Sequence, residues 1–180
     1  MSYTLELGGE APNFDSLLST DGRLYSRSDI NKRLLKVVFF TCNHCPYVKA
    51  IHQRLIRDTA ELKLLGINSV AISSNDVDSY PEDSFENMQL LAKQLNLDFP
   101  YLLDESQNIA KQYGAVCTPD FFGYNRNFEL QYRGRLDASK KETAPADAKR
   151  DLFNAMKQVA QTGHGPKEQI ASIGCSIKWK

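Results

Sequence analysis

The 180-residue sequence has no excess of charge of either sign, with 22 Lys and Arg against 22 Asp and Glu. Proteins that bind nucleic acid or anionic membranes usually draw on a surplus of positive charge. We therefore predict neither nucleic acid nor a membrane as a partner.

No run of apolar residues in the sequence approaches the roughly 20 residues of a membrane-spanning helix. Residues 1–14 also lack the basic and apolar regions of a secretory signal, so a cytoplasmic location is expected.

Cysteine is scarce as well, with four residues in the chain. Four are too few for a disulfide-built scaffold of this length, and a reducing cytosol favours catalytic or metal-binding roles. Internal repeats and low-complexity segments are also missing. Because 42% of the residues are hydrophobic, one core of ordinary size can form. We expect a single domain spanning residues 1–180.

Apolar periodicity predicts alternating strands and helices. The expected strands cover 36–40, 67–74 and 101–103, the helices cover 46–66, 83–95, 107–113 and 146–160, and a hairpin joins 121–124 to 130–133. Asp83, with Glu86 three residues later, is typical of a capping box at the start of the second helix. This pattern predicts an α/β fold in which helices flank a central mixed sheet, parallel and then antiparallel.

Cys42 and Cys45 are separated by two residues and lie where the first predicted strand gives way to a helix. Unpaired N–H groups and the positive end of the dipole at a helix N-terminus stabilise a thiolate. We therefore expect Cys42 to be acidic and to act as a nucleophile in disulfide exchange. Cys45 would then attack the mixed disulfide and release the product.

His44 lies between the two cysteines and, when protonated, would stabilise the Cys42 thiolate and make the disulfide more oxidising. The alternative is a solvent-exposed turn residue without an electrostatic role. The cysteine spacing also suits half of a zinc site. A second ligand pair is not evident, because Cys117 and Cys175 are isolated in the sequence and His52 and His164 lie on a predicted helix and in a Gly-rich turn, so no metal is predicted.

Three motifs resemble the thioredoxin superfamily, in particular its redoxin branch of alkyl hydroperoxide reductase/thiol-specific antioxidant and peroxiredoxin-like proteins. They are Gly9-Glu10-Ala11-Pro12-Asn13-Phe14, followed by Asp21-Gly22; Phe40-Thr41-Cys42-Asn43-His44-Cys45-Pro46-Tyr47-Val48; and Thr118-Pro119. The resemblance implies a thioredoxin-like fold with an N-terminal redoxin extension. It also implies a cis bond before Pro119, with the backbone of Thr118 binding an extended substrate segment beside the nucleophile.

The chain departs from peroxiredoxins in one respect, because their Pro-x-x-x-Thr-x-x-Cys signature is not matched at either Cys42 or Cys45. This departure weakens a peroxidase function and leaves disulfide exchange unaffected. An arginine reaches the sulfur in peroxiredoxins, and Arg135 is a candidate for that role, although a solvated arginine is the simpler interpretation.

Several further residues could take part. Cys117 precedes Pro119 by two residues and is either a third redox partner or a buried small apolar residue. Cys175, in the C-terminal tail, could resolve a sulfenate or simply pack. Asn75, Asp76 and Tyr80 follow a strand that ends on the same sheet edge as Cys42, where ligands collect in open α/β folds. They could line a substrate groove, although Asp76 taken singly is more simply a solvated loop charge.

The sequence thus predicts a thiol-disulfide oxidoreductase that uses Cys42 and Cys45 and requires no cofactor. Its expected partners are protein or small-molecule disulfides and an upstream thiol reductase. A thiol-dependent peroxidase acting on peroxide and a non-enzymatic metal-binding module are the alternatives.

Overall fold

The computed structural model describes residues 5–29 and 35–180 and is built around one large mixed sheet. Its strands are β1 (Leu17–Ser19), β2 (Leu24–Tyr25), β3 (Leu35–Thr41), β4 (Ile67–Ser73), β5 (Tyr101–Leu103), β7 (Asp120–Tyr124) and β8 (Leu130–Gly134), in the spatial order β2-β1-β5-β4-β3-β7-β8. Strands β3, β4 and β5 are parallel, whereas β7 and β8 run antiparallel to their neighbours. The predicted mixed α/β architecture is confirmed.

Strand β3 lies in the middle of the sheet, and all seven of its residues are buried. Its side chains alternate between the two faces, as strand geometry requires. Val37 and Phe39 enter one core, and Val38 and Phe40 enter the other. A strand covered on both faces reads as a continuous apolar run, which explains why its position was predictable from the sequence.

Helices cover both faces of the sheet. They are α1 (Pro46–Lys49), α2 (His52–Leu64), α3 (Phe85–Gln94), α4 (Asn108–Tyr113) and α5 (Asp151–Thr162). Apolar residues of α2 and α5 pack in the first core, whereas those of α4 and of the N-terminal segment pack in the second. None of the helices within residues 5–29 and 35–180 combines the length and the apolar character that a membrane-spanning segment requires.

Two predicted helix boundaries are wrong. The helix expected after Cys45 is divided into α1 and α2, and at the break the Ala50 carbonyl accepts a hydrogen bond from Thr143 Oγ1 at 2.6 Å. The last helix begins at Asp151 and not at residue 146. The segment before it belongs to a loop held by Arg54, whose Nη2 donates to the Pro145 carbonyl at 2.7 Å.

A second, two-stranded sheet joins distant parts of the chain. Strand β6 (Cys117–Thr118) pairs antiparallel with β9 (Cys175–Ser176) in the C-terminal tail. Periodicity does not reveal strands of two residues, and the sequence predicted neither of them. This pairing brings the tail to the carboxyl edge of β3, where Cys42 lies.

Candidate active site

The two cysteines of the Cys42-x-x-Cys45 turn lie between β3 and α1. Pro46 is the first residue of α1 and Cys45 is its N-cap, a favourable arrangement because proline lacks the N–H that a helix start leaves unpaired. Both cysteines are free, and both are buried, Cys42 being 1% and Cys45 0% exposed. Their side chains pack together in one buried cluster with Val48, so the two thiols are neighbours.

Thr118 and Pro119 lie directly opposite this turn. The Thr118–Pro119 bond is cis, as the resemblance implies. Thr118 Oγ1 is 3.5 Å from Cys42 Sγ, and Cys45 Sγ–H donates to the Thr118 carbonyl at 3.2 Å. One residue thus contacts both sulfurs.

The more acidic thiol of the pair is Cys45, whereas the sequence predicted an acidic Cys42. Hydrogen bonding to Cys45, burial and the charge of Asp83 raise the pKa of Cys42. A hydrogen bond from the Cys42 thiol lowers the pKa of Cys45, and contacts with Cys175 and the Val48 N–H lower it further. The helix begins one turn later than Cys42, so Cys45 gains the N-terminal stabilisation, and the first proton leaves Cys45.

Asp83 organises the turn, and sequence reasoning assigned it another role. Its buried carboxylate accepts hydrogen bonds from the backbone N–H groups of Asn43 (2.7 Å) and His44 (3.3 Å), and from Asn75 Nδ2 (2.8 Å). The predicted capping role belongs to Ser84, whose Oγ accepts from the Asn87 N–H. A carboxylate in the loop after β4, at the carboxyl edge of the sheet, was the available signal.

The His44 ring is directed at Asp83 and not at bulk solvent. Its Nδ1 is 2.7 Å from Asp83 Oδ2, and the ring stacks on Tyr80 with centroids 5.6 Å apart. The ring is nevertheless partly exposed. His44 therefore lies where it can offset the carboxylate charge that opposes a Cys42 thiolate.

A potential metal-ligand set also exists at this point. Ligand atoms of Cys42, His44 and Asp83 all lie within 4.8 Å of one another, and this combination of donors suits zinc. The prediction of no metal considered only cysteine and histidine ligands and did not include Asp83. Because both Asp83 oxygens already accept hydrogen bonds, metal binding would have to displace His44 or Asn75 from the carboxylate.

The two remaining cysteines are close to the pair, although they are isolated in the sequence. Cys175 packs against the cluster formed by Cys42, Cys45 and Val48. Cys117 is buried, its Sγ is 3.6 Å from the Pro119 carbonyl, and burial raises its pKa to about 12. Cys117 thus has the environment of an inert, packed thiol, whereas Cys175 contacts the reactive group.

The residues expected to line a substrate groove hold the C-terminal tail instead. Asn75 Oδ1 accepts from the Lys178 N–H at 2.9 Å, and the Asp76 N–H donates to the Lys178 carbonyl at 2.8 Å. Gln107 Nε2 donates to that same carbonyl at 2.8 Å. The tail therefore covers this side of the dithiol.

Arg135 lies on the other side of Pro119. Its Nε donates to Asp151 Oδ2 at 2.7 Å, which ties the end of β8 to the start of α5. The same arginine also lines a shallow groove with Tyr47, Pro119 and Lys140. Its described partner is thus a carboxylate and not a sulfur.

Comparison with known proteins assigns the chain to a family. The sequence pattern of the AhpC/TSA family matches residues 7–139. An uncharacterised conserved protein from Geobacillus kaustophilus is 41% identical, with a TM-score of 0.91 over 99% of this chain and 95% of that one. A hypothetical protein from Sinorhizobium meliloti is 36% identical, with a TM-score of 0.91 over 99% of this chain and 97% of that one.

More distantly related structures share the fold of this chain. The thioredoxin domain of a thiol-disulfide oxidoreductase from Bacteroides vulgatus is 16% identical, with a TM-score of 0.65 over 87% of this chain and 99% of that one. No curated protein sequence matches the chain. The family match spans well over half of the residues and includes the cysteine turn. The chain therefore belongs to the AhpC/TSA family of thiol redox proteins and has a thioredoxin-like fold.

Proposed function

We propose that this protein is a thiol-disulfide oxidoreductase in which Cys42 and Cys45 alternate between dithiol and disulfide. The observation that carries the proposal is the contact of both sulfurs with Thr118. Two adjacent thiols at the start of a helix, facing a backbone that can bind an extended segment, are sufficient for disulfide exchange.

In the proposed reaction, Cys42 attacks the substrate disulfide. Cys42 is the sulfur close to the partly exposed His44 ring, whereas Cys45 is enclosed by Thr118 and Cys175. The bond from Cys42 to the substrate forms as the substrate S–S bond breaks, and the Cys42 proton passes to the Cys45 thiolate. The first substrate sulfur leaves as a thiolate.

Cys45 then resolves the mixed disulfide. Its sulfur attacks Cys42 Sγ, its proton passes to a departing substrate sulfur, and the second substrate thiol is released. Two electrons move from the protein to the substrate, so an upstream thiol reductase has to restore the dithiol. The reverse sequence oxidises a substrate dithiol.

Asp83 and His44 set the reactivity of Cys42 in this scheme. The carboxylate holds the turn in shape through two backbone N–H groups, but its charge disfavours a thiolate at Cys42. His44 pairs with the carboxylate and reduces this penalty. His44 thus acts on the thiol through Asp83.

The proposed substrates are protein or small-molecule disulfides, and the proposed compartment is the cytosol, where thiols are kept reduced. A substrate segment would approach along the groove of Tyr47, Pro119 and Lys140, or replace β9 beside Thr118. Peroxide is the alternative substrate that the family name suggests.

The test is reduction of a disulfide protein such as insulin by dithiothreitol, with and without this protein. Catalysis should disappear in Cys42→Ser and Cys45→Ser and persist in the matched control Cys117→Ser. Cys45→Ser should also trap a mixed disulfide through Cys42. Peroxide consumption that needs Cys42 but not Cys45, or one equivalent of zinc that blocks alkylation of Cys42, would overturn the proposal.

A further inference from the structure

The C-terminal tail presents a third cysteine to the reactive pair. In the antiparallel pairing of β6 and β9, Thr118 is opposite Cys175 and Cys117 is opposite Ser176. Opposite residues share a face of a sheet, and successive residues point to opposite faces. Because the Thr118 side chain is directed at Cys42 Sγ, the Cys175 side chain faces the dithiol as well, and Cys117 points away.

The position of Cys175 is fixed by the residues on either side of it. A Cβ atom at Gly174 would overlap the Thr118 carbonyl oxygen, so only glycine permits this approach of the tail. On the other side, Ile177 is buried in the second core, and Asn75 and Gln107 hold the backbone of Lys178. The Cys175 side chain is thereby held against the dithiol cluster.

We propose that Cys175 is a third redox-active cysteine, which exchanges with the Cys42–Cys45 disulfide by attacking Cys45. The inference rests on the proposed function. The Cys45–Cys175 bond forms as the Cys42–Cys45 bond breaks, and Cys42 leaves as a thiolate that takes up the proton released by Cys175. The number of disulfides is unchanged, so the step needs neither an oxidant nor a reductant.

Electrostatics oppose a Cys175 thiolate less in the oxidised protein than in the reduced protein, although burial, the largest cause of its raised pKa, remains. In the reduced protein, burial, followed by the hydrogen bond and charge of Cys45, raises the pKa of Cys175 to about 11. Once Cys45 is in a disulfide it carries no charge, so its hydrogen bond and its charge no longer raise the pKa of Cys175. Lys178 and Lys141, which lower the pKa of Cys175, remain.

The exchange gives the protein a second oxidised state with a different reactivity. In the Cys42–Cys45 form, Cys42 is unable to attack a disulfide. In the Cys45–Cys175 form, Cys42 is a thiol again while the tail is covalently fastened beside Thr118. The protein would thus carry a stored disulfide and a free nucleophile at the same time.

The experiment uses Cys42→Ser, in which the usual disulfide is impossible. After oxidation with oxidised glutathione, tryptic mapping without reduction separates Cys45, Cys117 and Cys175 onto three peptides, 37–49, 112–126 and 168–178. We expect the cross-link between 37–49 and 168–178 to be the main product. It should persist in Cys42→Ser/Cys117→Ser and be replaced by glutathionylated Cys45 in Cys42→Ser/Cys175→Ser.

Wild type, oxidised in parallel, separates this inference from the proposed function. An internal disulfide within 37–49 in wild type, with only glutathionylated Cys45 or a Cys45–Cys117 bond in Cys42→Ser, would overturn the role of Cys175 and leave the Cys42–Cys45 couple intact. Absence of the internal disulfide in wild type would count against the couple itself.

Discussion

At the scale of single residues, the neighbours Asp83 and Ser84 perform two tasks that the sequence pattern assigned to one of them. Asp83 binds the backbone of the cysteine turn, and Ser84 caps α3. The assignment to Asp83 was reasonable, because both residues are good N-caps and Glu86 favours a capping box at 83. Local sequence does not encode the long-range contact, which spans some 40 positions.

Asp83→Asn should make Cys42 more acidic, because it removes a negative charge that raises the pKa of that thiol. It should also lower the free energy of unfolding by about 1–3 kcal/mol, since a buried hydrogen-bond network loses its ionised acceptor. Thiolate absorbance against pH and urea unfolding measure the two effects. Asp78→Asn, in the same loop but exposed, is the matched control. An unchanged Cys42 titration would contradict the role given to Asp83.

Ser84→Ala should lower stability and leave the chemistry of the thiols unchanged. Loss of the N-cap should cost about 0.5–2 kcal/mol of stability. The titration of the thiols and the rate of insulin reduction should remain those of wild type, because Ser84 does not contact the cysteine turn. A change in thiol acidity in Ser84→Ala would show that the two neighbours do not act separately.

At the scale of elements, the strands and helices with strong apolar periodicity were predictable, and the docked tail was not. Strand β3 and the β7–β8 hairpin occur where their patterns place them. Strands β6 and β9 have two residues each, and their pairing depends on a long-range approach that requires Gly174. The sequence therefore located the dithiol but missed the segment that covers it.

Gly174→Ala should loosen the tail, because the added methyl group would collide with the Thr118 carbonyl. We expect Cys175 and Cys45 to be alkylated faster and the amides of residues 175–178 to exchange faster with solvent. Ile173→Ala, which changes an exposed neighbouring side chain, serves as the control. Equal protection of the tail in both variants would show that close approach at Gly174 does not hold it in place.

At the scale of the whole molecule, the central sheet carries a buried charge in the strand that leads to the active site. Lys36 in β3 is 2% exposed, and its Nζ lies 3.7 Å from the centre of the Phe128 ring. Burial lowers the pKa of Lys36 from 10.5 to about 8. The folded state therefore binds this proton less tightly than the unfolded state does.

The consequence is a pH-dependent contribution to stability. Between about pH 8 and 10.5 the unfolded chain holds more protons at this lysine, so its contribution to stability rises with pH across that window. Lys36→Met should stabilise the protein at neutral pH, because a buried charge is removed. It should also remove the pH dependence of stability that comes from this lysine. The difference between wild-type and Lys36→Met urea unfolding, measured from neutral to alkaline pH, should shrink as the pH rises. A constant difference would contradict the account.

The central claim, that Cys42 and Cys45 form the redox couple, is tested most directly by alkylation and mass spectrometry across a series of glutathione potentials, with each of the four cysteines read separately. The account predicts one reversible two-electron transition, in which protection of Cys45 is matched by that of Cys42 and Cys175 combined and all three share one midpoint potential, while Cys117 stays reduced throughout. Independent oxidation of Cys42 and Cys45, or a transition that persists in Cys45→Ser, would contradict it.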